Sequence, residues 1–192
     1  IKCEVPLKKS FDYFKTFKIL TEDLNKAYVC LLKNEDFEKC YISFSANKTE
    51  LIDNLKNDFI TPIERGDIFL LSEILSNEMT SIIKIKDYSS FVNSDFSGIL
   101  KSVEGLLFSQ EKIFSTISKS KLTYDVFNES GSCLAVTQKL NKEISKCVKK
   151  TLLSTDVSTP LLKYVMYSLF NDLVCQLITV FTQIQRIVLN NS

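Results

Sequence analysis

Only four glycines and three prolines punctuate the 192 residues. Tight turns and hairpins draw heavily on these two residues, so a sandwich or barrel of many short strands is excluded. A few long elements are favoured instead. Hydrophobic residues make up 45 % of the chain and charged residues 24 %, which is enough apolar surface to build a core rather than stay disordered. The sequence reads as a soluble, nearly all-α protein, either one large domain or two small units sharing a core.

Apolar spacing near 3.6 residues predicts six helices. The first runs from about Phe11 to Lys33, with Phe14, Phe17, Leu20, Leu24, Tyr28 and Leu31 on one stripe. The second covers about Glu35 to Phe59 and places Leu51, Ile52, Leu55 and Phe59 on its buried face; its Tyr41–Phe44 portion alternates apolar and polar residues. The third opens at Thr61-Pro62-Ile63-Glu64. Thr61 is expected to cap it, Pro62 to occupy the first helical position, where a missing N–H costs nothing, and Glu64 to reach back to the cap. The fourth spans about Tyr88 to Lys121, the fifth about Tyr124 to Leu153, and the sixth starts at Thr159-Pro160 after a polar linker, Ser154 to Ser158. The two Thr-Pro pairs lie about half a chain apart, each opening the third helix of its half. That spacing suggests two three-helix units, 1–90 and 91–192, related by duplication.

Several function classes fall away on composition. There is no histidine, which removes Ser-His-Asp and Cys-His catalysis and every histidine-containing metal site. Gly-rich phosphate-cradling loops are also missing, so the chain is read as a non-enzyme without a cofactor. Net charge is +1, too little for nucleic-acid binding; Lys142, Lys146, Lys149 and Lys150 read as a solvated helix face. The six cysteines form no C-x-x-C pair. Cys30, Cys147 and Cys175 sit at helical spacing among apolar residues and read as buried thiols, whereas Cys30 and Cys40 flank a helix turn and could be bridged. Asn47-Lys-Thr and Asn128-Glu-Ser are formal glycosylation sequons. Ile1 in place of Met fits a removed signal peptide or a trimmed chain equally. Tyr164 to Leu189 is interrupted by Asp172, Gln176, Gln183 and Arg186, and reads as a buried amphipathic helix rather than a membrane span.

One stretch carries a resemblance. Phe59-Ile60-Thr61-Pro62-Ile63-Glu64-Arg65-Gly66-Asp67-Ile68 resembles the junction between the second and third helices in the PhoU-like family that accompanies Pit-type inorganic phosphate transporters. Phe59, Ile60, Thr61, Pro62, Arg65, Asp67 and Ile68 match, Glu64 keeps an acid, and Gly66 replaces an expected Glu. The resemblance implies an all-α, PhoU-like six-helix bundle made of two three-helix units, with Thr61, Pro62, Glu64, Arg65 and Asp67 as its motif or interaction residues. Members of that family often bind metal clusters through acid-x-x-x-acid pairs. Here the corresponding positions hold Tyr41 and Ser45, then Ser76, Asn77 and Thr80, then Asn171 and Cys175, with Glu143 the one surviving acid, so the carboxylate cluster is largely lost and no metal is expected. Arg65 and Arg186 are the only arginines in a lysine-biased chain, and the planar fork of Arg65 suits a carboxylate or helix carbonyls.

The resemblance implies a cytoplasmic accessory or regulatory protein of phosphate transport. It would bind a phosphate transporter or another regulatory protein, sit at the membrane periphery through that transporter, and be compatible with a homo-oligomer. The alternative reading is a secreted helical binding protein stapled by disulfides. A third reading is an enzyme, in which Glu73 and Glu78, or Asp53 and Asp58, could face one cleft, but solvated helix faces explain these acids better.

Overall fold

The computed structural model describes residues 10–89, 96–153 and 160–191. Thr159, the Ser154–Ser158 linker, Cys3 and the proposed boundary at residue 90 lie outside them. Six helices and no strand occur among the described residues: α1 Tyr13–Lys33, α2 Glu38–Asn57, α3 Arg65–Ser89, α4 Ser97–Ser120, α5 Tyr124–Leu152 and α6 Pro160–Asn191.

Local chemistry explains several of the ends. The Asp12 side chain accepts from the Lys15 N–H at 3.0 Å and starts α1. Asn34 closes it in the left-handed conformation, φ 54°, where asparagine is tolerated. Thr123 caps α5 by accepting from the Val126 N–H. The alternating Tyr41–Phe44 portion is helical, because Phe44 alone of that stretch is fully buried while Tyr41 and Ile42 face outward. Tyr88 belongs to α3 rather than opening α4.

Each stripe is buried against a neighbour. α1 packs on α2, α3 and α4, and α6 packs on α5, α3 and α4. The helices α1, α3, α6 and α4 therefore form a four-membered ring in which α3 and α4 stand diagonally opposite. α2 covers the α1–α3 edge and α5 the α4–α6 edge. The core fills this ring. Phe17 meets Phe114 at 5.6 Å between ring centres, Phe96 meets Phe170 at 5.9 Å, and the Tyr28 hydroxyl donates to the Leu100 carbonyl at 2.9 Å. Burial of each such large side chain contributes roughly 1.5–3 kcal/mol. α6 is long and apolar enough to cross a membrane by length and composition, yet Leu173, Val174, Leu177, Phe181 and Ile184 are buried within the bundle.

Candidate functional site at the α2–α3 junction

The expected helix start, capped by Thr61 with Pro62 as the first helical residue, is corrected by three residues. α3 begins at Arg65, where the Glu64 carbonyl accepts from the N–H groups of Asp67 and Ile68 at 3.0 and 3.1 Å. The reason is tertiary. Ile63 turns into the core, 4 % exposed, and holds Thr61 and Pro62 in an irregular bend. The Thr61 hydroxyl donates to the Ile63 carbonyl at 2.7 Å, and the Glu64 side chain is exposed.

Two motif residues tie this bend down. The Arg65 guanidinium donates to the Leu55 carbonyl, one of the last carbonyls of α2, which lack a partner within their own helix. Asp67 is buried. Its Oδ1 accepts from Gln183 Nε2 at 2.8 Å and from the Arg186 guanidinium, both on α6. The chain's two arginines thus serve one junction, Arg65 on a helix carbonyl and Arg186 on a carboxylate. Asp58 adds a third tie by accepting from the Tyr13 hydroxyl at 2.7 Å. Burial, and then the Asp58 carboxylate beside it, push that hydroxyl's pKa up, so it remains a donor. The arginine scarcity pointed to Arg65 and Arg186. Nothing in the local pattern pointed to Gln183 or Tyr13, because their roles come from another helix.

Between these anchors the tip of the junction projects. Phe59, expected on the buried face of α2, is 100 % exposed, and Ile60 is 89 % exposed. α2 ends at Asn57, so Phe59 leaves the helical register that would have buried it.

Beside the tip, α2 and α3 leave a groove of about 500 Å³ whose walls include Tyr41, Ser45, Ser76 and Thr80. These are positions where the family resemblance places metal-binding acids, and here they carry hydroxyls. Lys48 and Glu73 bridge the groove at 2.8 Å, while Asp53 pairs with Lys56 at 3.0 Å. Asn77 points to solvent. A second groove of about 340 Å³ lies between α5 and α6, lined by Ser145, Lys149, Asn171 and Asp172. Cys175, one turn after Asn171 on α6, is exposed rather than buried, within 3.8 Å of Asn171 Nδ2 and 3.9 Å of Asn141 Oδ1. Glu143 is exposed outside that groove. No group of three or more acids or cysteines able to hold a metal ion occurs among the described residues.

Two further expectations need correcting. Glu78 does not lie on a solvated face; it is 0 % exposed in the core. Cys30 and Cys147 are only partly buried. The five described cysteines are free thiols. Those of Cys30 and Cys40 lie close together across the α1–α2 turn: burial first, and then Cys30, raise the Cys40 pKa. Lys142, Lys146, Lys149 and Lys150 all face solvent along α5. Compared with models of known protein families and with curated proteins, the chain matches none.

Proposed function

We propose that this chain is a non-enzymatic accessory or regulatory protein of inorganic phosphate transport, acting in the cytoplasm by binding another protein. The observation that carries the reading is the α2–α3 junction. It has the family-like sequence, it is fixed by Arg65 and Asp67, and it presents Phe59 and Ile60 to solvent. An exposed aromatic and aliphatic pair on an anchored bend favours a hydrophobic anchor at a protein interface.

One further observation supports the family reading, and one marks where the chain departs from it. Exchanging α1 with α4, α2 with α5 and α3 with α6 maps the set of packed helix pairs onto itself, as two duplicated three-helix units would. The hydroxyls at Ser45, Ser76 and Thr80 leave the α2–α3 groove without the paired carboxylates of a multinuclear metal site. Stoichiometric iron, zinc or manganese in the purified protein would overturn that part of the reading.

The experiment is affinity capture from solubilised membranes of the native organism, using the wild-type chain and Phe59→Asp. A phosphate permease is expected with the wild type and lost with the variant. Capture of no permease, or equal capture by both, would overturn the proposal. Phe59→Asp should leave folding intact, within about 0.5 kcal/mol, because the side chain touches no core.

A second reading, the secreted disulfide-stapled binding protein, draws on the closeness of Cys30 and Cys40. A thiol count after denaturation of the native-source protein separates the two. Six reactive thiols favour the cytoplasm, and few or none favour secretion.

A further inference from the structure

Glu78 and Gln110 meet across the diagonal of the helix ring, from α3 to α4, and both are 0 % exposed. Gln110 Nε2 donates to Glu78 Oε2 at 2.8 Å. The other oxygen of each group, Glu78 Oε1 and Gln110 Oε1, is buried without a partner. Both are acceptors if Glu78 is ionised, and neither then has a donor. A buried acceptor left unpaired is unfavourable, and a buried unpaired charge much more so. One proton removes both problems. Placed on Glu78 Oε1, it turns that atom into a donor for Gln110 Oε1 and deletes the charge.

We infer that Glu78 is a neutral carboxylic acid in the folded protein, closing a two-bond ring with the Gln110 amide, and that this ring is a proton-dependent latch across the bundle. In the latched state Glu78 Oε1–H donates to Gln110 Oε1 while Gln110 Nε2–H donates to Glu78 Oε2. Loss of the proton to solvent leaves a carboxylate and a carbonyl oxygen facing an apolar interior with a single hydrogen bond between the two side chains.

The surroundings agree. No charged group from α1, α2 or α6, the helices packed on α3, acts on this carboxyl. The Arg186 charge is held by Asp67 in the first turn of α3, about three helical turns before Glu78. Lys48 and Glu73 pair with each other in the outer groove, Lys86 donates to the Glu35 carbonyl, and Asp23 is held by Ser43. Burial therefore dominates and pushes the Glu78 pKa up to about 8, with the Gln110 amide opposing it weakly. This inference is independent of the phosphate-transport reading.

The test compares urea unfolding of the wild type and Glu78→Gln between pH 5 and 8. The amide introduced by this substitution would donate where the acid proton did, so the variant keeps both bonds with nothing to titrate. The wild-type unfolding constant is expected to rise by up to tenfold per pH unit relative to the variant's, one proton's worth. Parallel pH profiles for the two proteins would overturn the inference. Where Glu78→Gln does not fold, carboxyl NMR of wild-type protein labelled at glutamate decides alone: one carboxyl titrating near 8 supports the latch, and all of them titrating as ordinary carboxylates overturns it.

Discussion

Replacing Arg186 with Met should destabilise the fold more than replacing Asp67 with Asn, although the two residues form one ion pair. The asymmetry follows from exposure. The Asp67 side chain is 3 % exposed and that of Arg186 is 55 % exposed. Without the guanidinium, a buried carboxylate keeps only the Gln183 amide at 2.8 Å, and its Oδ2 has no partner. Breaking a fully buried pair costs about 3–5 kcal/mol. Half-exposure of the arginine screens this pair, so about 2–3 kcal/mol is expected for Arg186→Met. Asp67→Asn deletes the buried charge, still offers Gln183 an acceptor and lets Arg186 turn to water. Its cost should be about 1–1.5 kcal/mol. The double variant should be little worse than Asp67→Asn alone, giving a coupling of about 2 kcal/mol. Urea titrations at pH 7 and low salt measure all four corners. At this chain length each kcal/mol corresponds to roughly 2–4 °C in Tm. Additive single effects, or an Arg186→Met protein within about 0.5 kcal/mol of wild type, the range of an ordinary surface change, would show that Asp67 is not held by the arginine.

Glu78 sets a pH dependence of definite sign. Its folded pKa is raised, so its stabilisation is complete below the ordinary value of 4.5 and is lost as pH rises toward about 8; at about 1.4 kcal/mol per pH unit the loss is on the order of 4 kcal/mol, and a flat wild-type stability profile from pH 5 to 8 would refute it. Lys121, after α4, holds φ 68° and ψ −166°, a region open essentially to glycine alone; Lys121→Gly should raise stability by about 1 kcal/mol in thermal unfolding, and a loss would mean its side chain has a role that outweighs the strain. Gly131 lies on α5 where an added Cβ would sit 2.8 Å from Gln185 Nε2, so Gly131→Ala should be nearly neutral, the helix gain of about 1 kcal/mol offset by moving that amide. In a Gln185→Ala background the same change should show the full gain, and equal effects in both backgrounds would remove Gln185 from the account.

Helix content was legible because it is written locally. Stripes at 3.6-residue spacing and scarce glycine and proline specify six long helices whatever their arrangement, and observed ends mostly fall within a few residues of the expected ones. The two lone arginines also marked residues with demanding hydrogen-bond work. Three features were not legible. The first residue of α3 moved from Pro62 to Arg65 because burial of Ile63 outweighed a favourable capping pattern. Phe59 left its stripe because α2 ended two residues earlier. Glu78 falls on the apolar stripe of α3, three residues after Leu75 and four before Ile82, but the sequence does not say which helix will stand opposite or supply its partner. Periodicity fixes which face of a helix is apolar. Only the packing of α3 diagonally across from α4 decides that a carboxyl on that face meets the Gln110 amide instead of water, and with it the protonation state that Glu78 must adopt.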